Sequence, residues 1–153
     1  MTHLKIGDKA PKIESKDHLG NPFSLKSYLG KKVILFFYPK DDTPGCTAES
    51  CSFRDNYSLL QKAGYEVVGL SVDDEKKHQK FIKKYDLPFI LISDTDKKVV
   101  EDYGVWATKK FMGREYLGIL RTTFVIDEKG GIIVVITDVD TKNAANQVFE
   151  FLK

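Results

Sequence analysis

The sequence predicts an α/β fold in one domain, with a central mixed sheet flanked by helices, and three observations support this. Short apolar runs of strand character alternate with helical segments along most of the 153 residues. That length suits a single domain and buries roughly two thirds of the unfolded surface, enough for one core. No internal repeat, low-complexity tract or Pro/Ser-rich linker divides the chain.

Taken in order, residues 12–25 predict a hairpin around His18-Leu19-Gly20-Asn21. Val33 to Tyr38 is an unbroken apolar run, the pattern of a buried strand. Pro44 to Ala63 reads as a helix, with Thr43 as N-cap, Pro44 at the first helical position and Gly64 as the stop. Glu66 to Val72 is the next strand. Glu75 to Tyr85 is a charged helix with Phe81, Ile82 and Tyr85 inward, Phe89 to Ile92 is a strand, and Lys97 to Tyr103 is a short helix ending at Gly104. A long loop follows. Thr122 to Ile126 and Ile132 to Thr137 then flank the turn Asp127-Glu128-Lys129-Gly130-Gly131, and a last helix runs from Lys142 to Leu152. Strand–helix–strand units followed by a hairpin and a helix suggest a thioredoxin-like core. In such sheets sites lie at the strand carboxyl ends, which is where Pro39 to Cys46 leaves the first apolar strand.

Composition excludes several function classes. The 24 basic and 22 acidic residues leave a net charge of +2, too near balance to attract a polyanion. The lysine doublets 31–32, 76–77, 83–84, 97–98 and 109–110 read as solvated faces, so no nucleic-acid partner is expected. Met1 to Asp8 lacks the apolar centre of a signal peptide, and no apolar run approaches the ~18 residues of a membrane span. A cytoplasmic protein is expected. In that compartment two closely spaced cysteines are catalytic, redox-sensing or metal-binding before they are structural. His3, His18 and His78 show no ligand spacing with one another or with the cysteines, so no metal and no cofactor is predicted.

Both cysteines fall on the helix that follows the first apolar strand. Cys46 stands at its third position, where free backbone N–H groups and the positive end of the helix dipole favour a thiolate. Cys51 lies five residues on. In an intact helix that is ~7.5 Å of axial rise alone, beyond the reach of a disulfide, with the side chains on different faces. If the two bond, the helix must first unwind, which suggests a bond made and broken in each cycle.

The run Pro39-x-x-x-Thr43-x-x-Cys46 resembles the active-site signature of peroxiredoxins. The longer string Tyr38 to Asp55, with Cys51 in place, is similar to the peroxiredoxin Q subfamily, also called bacterioferritin comigratory protein. The resemblance spans nearly the whole chain, through Ala10-Pro11, Gly20-Asn21, Asp94, Val105-Trp106 and Arg121-Thr122-Thr123-Phe124-Val125-Ile126-Asp127. It implies a cycle. Cys46 attacks a peroxide and becomes sulfenic acid, Cys51 resolves it as an intramolecular disulfide, and thioredoxin reduces that disulfide.

The resemblance also implies roles for the flanking residues. The Thr43 hydroxyl, beyond capping the helix, contacts the thiolate or the peroxide. Pro39, otherwise a turn residue, shields the pocket from water. Arg121, otherwise a surface arginine, faces Cys46, stabilises the thiolate and holds the peroxide. Glu49, one turn after Cys46, is either an exposed helical glutamate or the group that orients Arg121. Trp106 is core, lid or pocket wall. An intrahelical resolving cysteine also favours a monomer. Two other classes stay open. A general thiol–disulfide oxidoreductase normally uses Cys-x-x-Cys, a spacing this chain lacks, whereas a redox sensor passing oxidation to a partner protein would turn over slowly with reductant.

Overall fold

A computed structural model describes residues 1–153. From the amino terminus the elements are β1 (Glu14–Lys16), β2 (Pro22–Ser24), a 3-10 turn at Leu25–Tyr28, β3 (Lys32–Phe37), α1 (Pro44–Asp55), α2 (Tyr57–Lys62) and β4 (Tyr65–Ser71). Then come α3 (Glu75–Tyr85), β5 (Ile90–Ser93), α4 (Lys98–Asp102), β6 (Trp106–Phe111), β7 (Arg114–Ile119), β8 (Thr122–Ile126), β9 (Ile132–Ile136), a 3-10 turn at Thr141–Asn143 and α5 (Ala144–Phe151). The central sheet has the order β5-β4-β3-β8-β9, in which β5, β4 and β3 are parallel and β8 and β9 antiparallel. It is the mixed sheet that the sequence predicts.

The apolar run of β3 follows from its central place, because both faces of the strand are covered. Val33, Leu35 and Phe37 join one core cluster with Val68, Leu70, Tyr103 and Phe124. Ile34, Phe36 and Tyr38 join the other with Cys46, Phe53, Phe81 and Val148. The second face carries the chemistry. Gly69 makes room there, since a Cβ on it would stand 2.7 Å from both Phe36 Cζ and Leu91 Cδ2.

Local chemistry sets the helix limits. The Asp74 carboxylate accepts from Lys77 N at 2.9 Å to cap α3, which ends at Asp86 in the left-handed conformation with its N–H on Ile82 O. Buried Asp94 accepts from the N–H groups of Val99 and Val100 at the start of α4. No helix is long and apolar enough to cross a membrane.

Two expectations are corrected. The helix predicted over Pro44 to Ala63 is two helices broken at Asn56 (φ −110°, ψ 8°), whose side-chain amide donates to Ser52 O at 2.8 Å. An Asx side chain competing for the helix's own carbonyls ends it there. The long loop after Gly104 is instead a hairpin, β6 against β7, turned by Met112 (φ 52°) and Gly113 (φ 78°). Two positive φ values in a two-residue turn match the twist of a tight hairpin.

Candidate active site

Register brings the distant parts together. β3 and β8 run antiparallel with Phe37 opposite Thr122, so Tyr38-Pro39 at the end of β3 and Arg121 just before β8 lie at one edge. α1 starts there. Its buried residues are Cys46, Glu49, Ser50 and Phe53, an i, i+3, i+4, i+7 stripe that turns Cys46 and Glu49 toward the sheet. Cys46 is 1% exposed, so its sulfur is largely withdrawn from bulk water.

The hydrogen bond that reaches Cys46 Sγ comes from Arg121 Nη2 at 3.2 Å, rather than from the backbone N–H groups expected at the helix start. The same guanidinium donates through Nη1 to Glu49 Oε1 at 2.7 Å. One planar fork therefore joins thiol and carboxylate. Burial lowers the Arg121 pKa, but Glu49 and Cys46 more than offset it and hold the guanidinium charged. Burial pushes Glu49 up to about 7, against the opposing pull of Arg121. Gly45 leaves the space that the fork needs, because a Cβ there would lie 3.2 Å from Arg121 Nη2.

Thr43 stands at the N-cap of α1 with extended backbone (φ −95°, ψ 155°), but its side chain does not cap. Its hydroxyl donates to Lys40 O at 2.9 Å, a bond that tightens the preceding turn and competes with capping. Pro39 is half-buried in that turn. Cys51 is half-buried on the same unbroken helix as Cys46, and both are free thiols. Trp106 packs against the core cluster on the sheet face away from Cys46, with Lys97 Nζ 5.7 Å above its ring. β6 also carries Lys109, one of the lysines expected to be solvated, which feels the charges of the site. Its Nζ donates to Ile119 O at 3.0 Å, and its pKa is lowered by burial and by nearby Arg121, with Cys46 opposing.

A buried thiol held against a guanidinium, with a carboxylate behind it, is a site for a reaction that builds negative charge next to sulfur. Comparison with known proteins identifies the reaction. The AhpC/TSA family model matches residues 6–135. The chain belongs to the AhpC/TSA family of peroxiredoxins. Peroxiredoxin Bcp of Escherichia coli K12 is 44% identical over 153 residues, 100% of this chain and 98% of the relative. A putative peroxiredoxin bcp of Coxiella burnetii is 54% identical over 132 residues, 86% of this chain and 87% of the relative. Among solved structures, the bacterioferritin comigratory protein of Xanthomonas campestris, studied for its alkyl peroxide reduction activity, superposes with a TM-score of 0.90. It has 29% identity and covers 99% of this chain and 97% of its own. This peroxiredoxin is a thiol-dependent peroxidase of thioredoxin-like fold.

Sequence reasoning missed a second cluster beneath the active-site turn. His78 of α3 is fully buried, with Nδ1 2.6 Å from Asp41 Oδ2 and Nε2 2.9 Å from Ile92 O. Buried Tyr38 donates to Asp41 Oδ1 at 2.6 Å, and Asp73 Oδ2 accepts from Asp41 N and Ser71 Oγ, each at 2.8 Å. One signal was available. A histidine sits at the inward spacing of α3, three residues before Phe81, among lysines.

Proposed function

We propose that Cys46 is the thiol that attacks the peroxide and that Cys51 resolves the resulting sulfenic acid. The observation that carries this reading is the Arg121 fork, 3.2 Å from Cys46 Sγ and 2.7 Å from Glu49. As the sulfur displaces the O–O bond, charge grows on the leaving oxygen, and the fixed guanidinium lies where that charge appears. At the start of α1 the backbone N–H of Cys46 is a further donor to the peroxide in this reading, and the Thr43 hydroxyl, whose own proton goes to Lys40 O, accepts from it. Half-buried Pro39 limits the access of water. The products are water or an alcohol and a sulfenic acid on Cys46. Cys51 then forms an intramolecular disulfide with release of a second water.

Both hydrogen peroxide and organic hydroperoxides are substrates in this reading, in line with the alkyl peroxide reduction studied in the Xanthomonas relative. A thioredoxin-type dithiol protein returns the disulfide to thiols. The protein acts in the cytoplasm, where thiols are kept reduced, and as a monomer, because both cysteines of the cycle lie on one helix and no partner subunit is needed.

The test is a steady-state assay of peroxide consumption coupled to thioredoxin and its reductase. Sustained turnover that is lost in Cys46→Ser supports the reading. Oxidation of the protein without turnover, together with a stable mixed disulfide to a client, would instead mark a redox sensor.

A further inference from the structure

The cycle above leaves the cluster around His78 unused, although it lies directly under the turn that delivers Cys46. Ile92 O can only accept, so His78 Nε2 carries a proton. Nδ1 and Asp41 Oδ2, at 2.6 Å, must share a second proton, since two bare lone pairs at that distance would repel. Tyr38 OH completes the set by donating to the other Asp41 oxygen. Asp41 is thereby fixed through both carboxylate oxygens, and through its backbone N–H by Asp73. The next residue, Asp42, is left-handed (φ 58°) and is also tied to α3, through Lys84 Nζ at 2.8 Å and Tyr85 OH at 2.6 Å. α3 therefore grips two consecutive residues of the turn. One grip is exposed and weak, while the other is buried and rests on one proton.

We propose that His78 is a positioning residue of the peroxidase. Through the proton it shares with Asp41 it holds the turn Tyr38–Thr43, and so the first turn of α1, in the helical form in which Cys46 meets Arg121. The proposal rests on the reading of Cys46 as the reacting thiol. It does not require His78 to touch peroxide. In the form with a Cys46–Cys51 disulfide, where the first turns of α1 are unwound, the turn is released and the Nδ1–Asp41 bond is lost.

Two substitutions separate positioning from mere support of the fold. His78→Asn keeps a donor at the place of Nδ1, facing Asp41, and His78→Gln keeps one at the place of Nε2, facing Ile92. Stopped-flow oxidation of the reduced full chain by hydrogen peroxide is expected to stay within about threefold of wild type in His78→Asn and to fall roughly tenfold or more in His78→Gln. Hydrogen exchange in His78→Gln should quicken for amides 43–51 and leave β3 slow. Equal losses in the two variants with uniformly faster exchange, or wild-type rates in both, would overturn the proposal.

Should neither variant fold, the wild-type protein provides the reading. Imidazole nitrogen-15 spectra should show the bonded Nδ1 proton in the reduced protein and its loss in the disulfide form. The same resonance in both states would overturn the clamp. Failure of the underlying reading looks different, since Cys46→Ser would then still consume peroxide.

Discussion

Glu49 is a fully buried carboxyl whose pKa is pushed by burial from 4.5 up to about 7, and Arg121 is its single charged neighbour in hydrogen-bond reach. Between pH 4.5 and about 7 the folded chain keeps a proton that the unfolded chain has lost. This group's contribution to stability is therefore complete below that window and declines as pH rises through it. Glu49→Gln removes the dependence. Denaturant titrations across pH should show the variant gaining on wild type between these limits by on the order of 1–3 kcal/mol and then levelling off. A constant difference would place the effect elsewhere. Arg121→Lys keeps a charge but loses the fork that spans Cys46 and Glu49. The rate of Cys46 oxidation by peroxide should fall by on the order of 10²–10³, the usual loss when a fixed donor to a developing anion is removed.

At the scale of elements, α1 is built so that its buried stripe is the site, and its glycine is part of that design. Gly45→Ala sets a methyl 3.2 Å from Arg121 Nη2, so the guanidinium must give way. The same oxidation assay should show a loss of roughly tenfold with little change in melting temperature, because helix propensity favours alanine. The β6–β7 hairpin carries a different cost in Met112, a left-handed residue at an exposed tip (φ 52°). Met112→Asn should stabilise the protein by about 1 kcal/mol, read from the denaturation midpoint.

These elements also show what a sequence makes legible. Thr43-Pro44 marks the start of α1 by local steric and capping rules, and the apolar run of β3 marks a buried strand. The hairpin was invisible because Met-Gly is not a usual turn pair and the strand faces are exposed, so no alternation distinguishes them from a loop. The break at Asn56 depends on one side chain reaching back to Ser52 O. The Arg121 fork and the His78 cluster are contacts across 75, 72 and 37 residues, set by sheet register and helix packing rather than by any local pattern.

For the whole molecule, the two faces of the sheet divide the work. One holds a core closed by β2 and α4, while the other carries α1, α2, α3 and α5 together with Cys46. The far half of α1 is fastened to that second face. Phe53 is fully buried, Ser52 Oγ accepts from Ala145 N at 3.1 Å, and Arg54 Nη1 donates to Tyr85 O at 2.7 Å. In the proposed cycle, unwinding that brings Cys51 to Cys46 should therefore stop short of Ser52. Oxidation should remove the far-UV helical signal of about two turns and leave the near-UV aromatic signal of the core in place. A full loss of tertiary signal would mean that the sheet opens as well.

The cycle of Cys46 and Cys51 is tested best by a thiol count by stopped flow and intact mass after one equivalent of hydrogen peroxide, on wild type, Cys46→Ser and Cys51→Ser. Wild type should lose both thiols rapidly, with a mass decrease of two hydrogens. Cys46→Ser should show no fast phase, and Cys51→Ser should gain one oxygen on Cys46 without a disulfide. A fast phase that survives Cys46→Ser, or a disulfide that forms without Cys51, would rule this cycle out.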